Sequence, residues 1–173
     1  MKIAIDIGHA RRTGASGNGL QEHEAAAALA RLLAGYLENA HEVEIIDFPN
    51  LSNSADLAET VRAINLDDFD FSISLHCDHN DSPSPHGAHV CYFSQTGKRL
   101  AKAIAAHLCK LMPGRAETVQ HRPGLYVLNS TKCPAVLCEC GFISNPADAA
   151  MLQHEPHRIA RAIAMGVADY VNS

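Results

Sequence analysis

Ile3-Ala4-Ile5-Asp6-Ile7-Gly8-His9 is an apolar run that delivers a metal-capable side chain to a strand end. Gly8 gives the backbone the freedom to turn there. Two further runs share the design: Phe71-Ser72-Ile73-Ser74-Leu75 leads into His76, and Ala135-Val136-Leu137-Cys138 leads into Glu139. Strand-length runs that alternate with helical stretches argue for an α/β fold with a mostly parallel sheet. In open sheets of that kind, sites form outside the carboxyl ends of the strands. His9, His76 and Glu139 are therefore expected along one edge of one sheet.

The rest of the chain fits around these runs. Leu29, Leu32, Leu33, Tyr36 and Leu37 recur at helical spacing and mark a helix of about four turns beginning near Glu22. Leu57, Val61 and Ile64 mark a second, with Asn53 and Asp56 as its start box. Leu100, Ile104, Leu108 and Leu111 mark a third, stopped by Pro113-Gly114, and Ile159, Ile163, Val167 and Tyr170 mark the last. A short helix is predicted from Asn145-Pro146, a cap followed by proline at the first helical position. Strand-length apolar runs occupy 2–7, 42–47, 70–76, 88–93, 125–129 and 134–139. The segments 78–87 and 113–124 read as loops. No repeat or linker interrupts the pattern, so residues 1–173 form one domain.

Composition bounds the function. With 47% hydrophobic residues the chain can fill a core, and it has no apolar run long enough to span a membrane. A net charge of −5 without a basic stripe argues against nucleic-acid binding. The six cysteines include no Cys-x-x-Cys pair and read mostly as small buried residues. Cys138 and Cys140 alternate with Glu139 and are expected on the opposite face of its strand. No signal segment is read before Met1-Lys2-Ile3, which enters the first strand at once.

Glu22 opens the first long helix, after the loop Gly14-Ala15-Ser16-Gly17-Asn18-Gly19, and so stays on the same sheet edge as the strand-end residues. Alone it would be a helix N-terminal carboxylate favoured by the macrodipole. Glu139 is the strongest single signal, because a carboxylate closing an apolar strand is costly to desolvate unless paired or placed at a site. Two imidazoles and a carboxylate match a zinc centre with an open position. His23 is expected to face solvent, while His79, His86 and His89 lie in or near a loop able to line a cleft. His154-Glu155-Pro156-His157 is not the helical His-Glu-x-x-His motif, since Pro156 breaks such a helix; a loop is expected there.

Four blocks then appear in order: Asp6-Ile7-Gly8-His9; Gly17-Asn18-Gly19-Leu20-Gln21-Glu22; Ser74-Leu75-His76; and Pro134-Ala135-Val136-Leu137-Cys138-Glu139-Cys140-Gly141-Phe142-Ile143-Ser144-Asn145. Together they resemble the zinc-dependent N-acetylmuramoyl-L-alanine amidases of the Amidase_3 type, cell-wall hydrolases of bacteria and phage endolysins. The resemblance implies a twisted sheet of about six strands with helices on both faces. It implies Zn2+ held by His9, Glu22 and His76, with Glu139 as the catalytic carboxylate and peptidoglycan as the substrate. The bond cut would join N-acetylmuramic acid to L-alanine of the stem peptide. The chain departs from the family's usual pattern at Ile7, Ala10, Cys77-Asp78, Cys138 and Cys140, none of them a ligand or the catalytic carboxylate. Asn80, His79, His86 and Arg122, in the two loops, are expected substrate contacts. The protein is expected to act on the cell wall, either as a phage-type lysin released from the cytoplasm or as a domain trimmed from a secreted enzyme.

Two other classes compete. A carboxypeptidase-like zinc hydrolase would use a His-x-x-Glu pair, but the residue three after His9 is Arg12. A non-catalytic peptidoglycan-binding or regulatory module would have no need to retain all four site residues.

Overall fold

The computed structural model describes residues 1–173. Eight strands and six helices follow in the order β1 (Lys2–Ile7), β2 (Ser16–Gly17), β3 (Leu20–Gln21), α1 (Glu22–Leu37), β4 (Glu42–Ile46), α2 (Asn53–Leu66), β5 (Phe71–Asp78), β6 (His89–Tyr92), α3 (Gln95–Leu111), β7 (Val119–His121), α4 (Tyr126–Asn129), β8 (Ala135–Phe142), α5 (Pro146–His154) and α6 (Pro156–Val171). Six strands form the central sheet in the order β4-β1-β5-β8-β6-β7, and β2 with β3 makes a separate small hairpin. All central pairings are parallel except β6 with β8. This is the expected single α/β domain.

Four of the six helices, α1, α2, α3 and α5, begin at a side-chain cap. Gln21 accepts from the His23 N–H ahead of the alanine-rich α1. Ser52, one residue before the expected box, accepts from Ala55 N–H, and Ser94 accepts from Gly97 N–H. Asn145 Oδ1 accepts from the N–H groups of Ala147 and Asp148, with Pro146 behind it at the first helical position.

The two faces of the sheet differ. Ile3, Ile5, Ile7, Ile73, Leu75, Val136, Cys138 and Cys140 pack in the main core with side chains of α1, α3 and α6. The other face carries smaller apolar clusters: Cys91, Ala135 and Leu137 beneath Val61, Val127 and Leu128, and Ala4 with Ile46, Ile64 and Phe69. That thinner face, covered by α2 and α4, leaves room at its carboxyl edge for a site.

Three expectations are corrected. The run 125–129 is helical at Tyr126–Asn129, and the sixth central strand is Val119–His121, inside the stretch read as a loop. Four apolar residues cannot reveal their period, and burial of Val127 and Leu128 decides for a helical turn. β5 and β8 do not end at His76 and Glu139. Their ladder continues to Asp78 and Phe142 past an irregularity after His76, so both residues lie within strands. Pro156 opens α6 rather than sitting in a loop, because only Glu155 separates α5 from α6.

α6 crosses α3 closely at Gly166, where an added Cβ would lie 2.7 Å from the Ala103 carbonyl oxygen and collide with Ile104. Helix propensity alone would make Gly166→Ala stabilising by up to about 1 kcal/mol. Contact with backbone reverses the sign, and we expect a loss of about 1–3 kcal/mol in denaturant unfolding.

Candidate metal centre

β1, β5 and α1 bring His9, Glu22 and His76 together, with one ligand atom from each within 4.8 Å of the others. Glu22 Oε1 lies 3.3 Å from His9 Nε2 and 3.0 Å from His76 Nδ1. The two rings meet edge to face at 4.9 Å between centroids. Glu22 is fixed from behind: Ala15 N–H donates to Oε2 at 2.7 Å, and Cys77 N–H donates to Oε1 at 3.1 Å.

His9 sits in the left-handed backbone region at φ 63°, uncommon for a residue with a side chain. His23 secures it, with Nδ1 donating to the His9 carbonyl at 2.6 Å. His23 is buried against that loop and does not face solvent as the sequence suggested. His9 Nδ1 donates to Asn53 Oδ1 at 3.1 Å, an oxygen that also receives Ala10 N–H. Nδ1 thus carries a proton, and Nε2 is the nitrogen that faces Glu22. Gly8 makes space for the second imidazole, because a Cβ there would stand 2.7 Å from His76 Nδ1 and nearer still to Cε1 and Nε2.

The electrostatics favour a cation at this point. Burial opposes ionisation of Glu22, yet hydrogen bonds from His76, His9 and Ala15 hold its carboxyl below the usual range. Burial likewise opposes charge on His76, but Glu22, Glu139 and Asp6 outweigh it and raise the imidazole to about 9. Two imidazoles and a carboxylate are the donor set of catalytic zinc, and the 3.0 and 3.3 Å separations approach the edges of a tetrahedron with arms of about 2.0–2.2 Å. The residues fit such an ion.

Sheet register places Glu139 directly beside His76 on β5 and opposite His89 on β6. Glu139 Oε2 is buried with no hydrogen-bond partner. Burial, with Asp78 and Glu22, raises its carboxyl to about 7 against the pull of His76 and His9. His89 is 3% exposed, its Nδ1 unpartnered, and burial with Arg115 and Arg122 lowers it to about 4. These side chains line a cleft of about 290 Å³ with His9, His76, Asp78 and Arg122. Two larger hollows, about 420 and 410 Å³, lie away from it and contain no such donor set.

Of the expected substrate contacts, Arg122 lines the cleft, whereas His79, His86 and Asn80 do not. His86 Nδ1 donates to the Pro113 carbonyl, and Asn80 Oδ1 closes a turn by accepting Ser82 N–H. Asn53, expected only as part of a helix start, turns out to orient His9. Cys138 and Cys140 lie in the opposite core, as strand alternation required.

The chain belongs to the N-acetylmuramoyl-L-alanine amidase family Amidase_3, whose profile matches residues 3–169. It is 31% identical over 175 residues to N-acetylmuramoyl-L-alanine amidase LytC of Bacillus subtilis (strain 168), covering 97% of this chain and 35% of that relative. It is 34% identical over 120 residues to a probable cell wall amidase LytH of Staphylococcus epidermidis, covering 65% of this chain and 40% of that one. The chain thus spans well under half the length of these relatives. Among solved structures, the catalytic domain of the CD27L endolysin targeting Clostridia difficile superposes with a TM-score of 0.89 at 27% identity, covering 98% of this chain and 97% of that one. The catalytic domain of CwlV from Bacillus (Paenibacillus) polymyxa var. colistinus shares the fold, with a TM-score of 0.88 at 24% identity over 99% and 98% of the two chains.

Two measurements check the site. Asn53→Ala should lower zinc affinity by about 10–100-fold in competition with a chromogenic chelator. His89 buried neutral binds fewer protons than the unfolded chain between its folded value of about 4 and its ordinary 6.5. Its contribution to stability is complete above 6.5 and is lost as pH falls toward 4. His89→Gln should flatten the stability–pH curve in that window.

Proposed function

We propose that this chain is the catalytic domain of a zinc-dependent N-acetylmuramoyl-L-alanine amidase acting on bacterial cell wall. It hydrolyses the amide between the lactyl carbonyl of N-acetylmuramic acid and L-alanine of the stem peptide. The observation carrying this reading is the unpaired, buried Glu139 Oε2 beside the convergent donors of His9, Glu22 and His76. Family membership and the amidase relatives support the choice of bond.

His9 through Nε2, Glu22 through Oε1 and His76 through Nδ1 would hold the zinc. Bound zinc lowers the pKa of a water toward neutrality and polarises the scissile carbonyl. Glu139 accepts the proton of the attacking water at Oε2 and returns it to the leaving amine of L-alanine. Burial suits it to both halves, because a carboxyl raised to about 7 gives up its proton more readily than water and holds it better than an exposed carboxylate. Neutral His89 and cationic Arg122 form the facing wall. Arg122 offers its fork of donors to a carboxylate or carbonyl of the stem peptide. His79, His86 and Asn80 stand farther along the loop that follows β5, where they reach only a longer glycan or peptide.

No helix is long and apolar enough to cross a membrane. The wall is the proposed site of action, for a lysin and for a secreted enzyme alike.

Glu139→Gln should keep zinc at the wild-type stoichiometry by elemental analysis. Its rate on purified sacculi should fall by about 10²–10⁴-fold, the usual contribution of a general base. Mass analysis of the wild-type digest should find glycan chains ending in intact N-acetylmuramic acid and stem peptides with free L-alanine amines. Full activity in the variant would refute the role of Glu139, and release of any other amine would refute the bond assignment.

A further inference from the structure

Packing gives no reason for a histidine at position 89. The residue is 3% exposed, its Nδ1 is enclosed without a hydrogen-bond partner, and Nε2 has no protein partner either. A buried polar group left unpaired costs stability. Cys91, Leu125 and Leu137 line the same cleft, so an apolar side chain would suit this position better. Stability is given up here beside the candidate site, the pattern of a group that waits for a ligand. Register fixes what the imidazole faces. β5, β8 and β6 are neighbours, and His76, Glu139 and His89 stand in one row across them. Residues directly opposite on antiparallel strands have Cβ atoms about 4.5–5.5 Å apart. For water held by Glu139 to reach it, the scissile carbonyl must lie over the middle of this row, with His76 on one side and His89 on the other. Burial, with Arg115 and Arg122, keeps the His89 ring neutral against the pull of Asp78, so it carries one proton. On Nδ1 that proton would be an enclosed N–H without an acceptor, so it belongs on Nε2, on the open side of the cleft.

We propose that His89 is a second catalytic residue beside Glu139, whose Nε2–H donates to the scissile carbonyl oxygen and binds it more strongly as negative charge develops there. This rests on the reading of the site as an amidase. A donor held by the sheet, out of water and free of other partners, needs no reorganisation when that charge appears. A neutral imidazole suits the task, because it polarises a carbonyl without handing over its proton. No bond to His89 forms or breaks. Its proton stays on Nε2, while Glu139 carries the water's proton to the departing amine.

The test compares His89→Leu, which removes both nitrogens, with His89→Gln, which keeps a donor, in the zinc-loaded full chain acting on a soluble N-acetylmuramoyl peptide. His89→Leu should keep its zinc and unfold no more readily than wild type at neutral pH, since it removes unpaired buried nitrogens. Its kcat should fall by about 10²–10³-fold with KM little changed. His89→Gln should recover most of that loss. A phosphinate in place of the scissile amide, titrated by calorimetry, should bind His89→Leu more weakly by the factor lost in kcat/KM. The uncleaved peptide should bind Glu139→Gln equally well with and without His89→Leu. Wild-type kcat in His89→Leu, a loss confined to KM, equal losses in the two variants, or unfolding or zinc loss in His89→Leu would each overturn the role of His89 and leave the bond assignment standing. A wild-type chain that cleaves no muramyl amide would overturn both.

Discussion

The ladder between β5 and β8 decides the chemistry of this domain. It sets His76 flush with Glu139, and the antiparallel ladder to β6 sets His89 on the other side of the same carboxylate. Side chains alternate along a strand, so a slip of one residue would send Glu139 into the core and bring Cys138 or Cys140 to the side of the candidate metal centre. The large core prevents that slip, because Val136, Cys138 and Cys140 are already packed with α1, α3 and α6. The specificity of the site is therefore enforced by apolar packing on the face it does not occupy.

The four charged or chargeable groups are tuned by this placement. Glu22 is ringed by donors and stays ionised, while Glu139, close by, has an oxygen with none and titrates near neutrality. Two carboxylates on one sheet edge thus acquire different proton affinities, Glu22 from its hydrogen-bond donors and Glu139 from burial and neighbouring charges.

Much of this was legible in the chain. Apolar runs located β1, β4, β5, β6 and β8, and helical spacing located α1, α2, α3 and α6. The convergence of His9, Glu22 and His76 was expected from strands of a parallel sheet carrying them to one edge, although β5 runs on past His76 to Asp78. Other features depended on contacts distant in sequence. Val119–His121 is a short edge strand whose pairing with β6 no local pattern announces. His23 and Asn53 act through the loop after β1, which holds His9 at positive φ, and neither the loop's path nor its hydrogen bonds can be read from spacing. The buried state of Asp56 belongs to the same group, since a carboxylate in a first helical turn ordinarily faces water.

The missing side chain at Gly8 has a consequence for how such a chain can vary. The ring of His76 occupies the volume a Cβ would claim, so the two positions are free to change only as a unit. A lineage that lost the imidazole could admit alanine at position 8 with little strain. It could then no longer regain the His9–Glu22–His76 cluster by restoring histidine alone, and the reverse path would be closed by a methyl group.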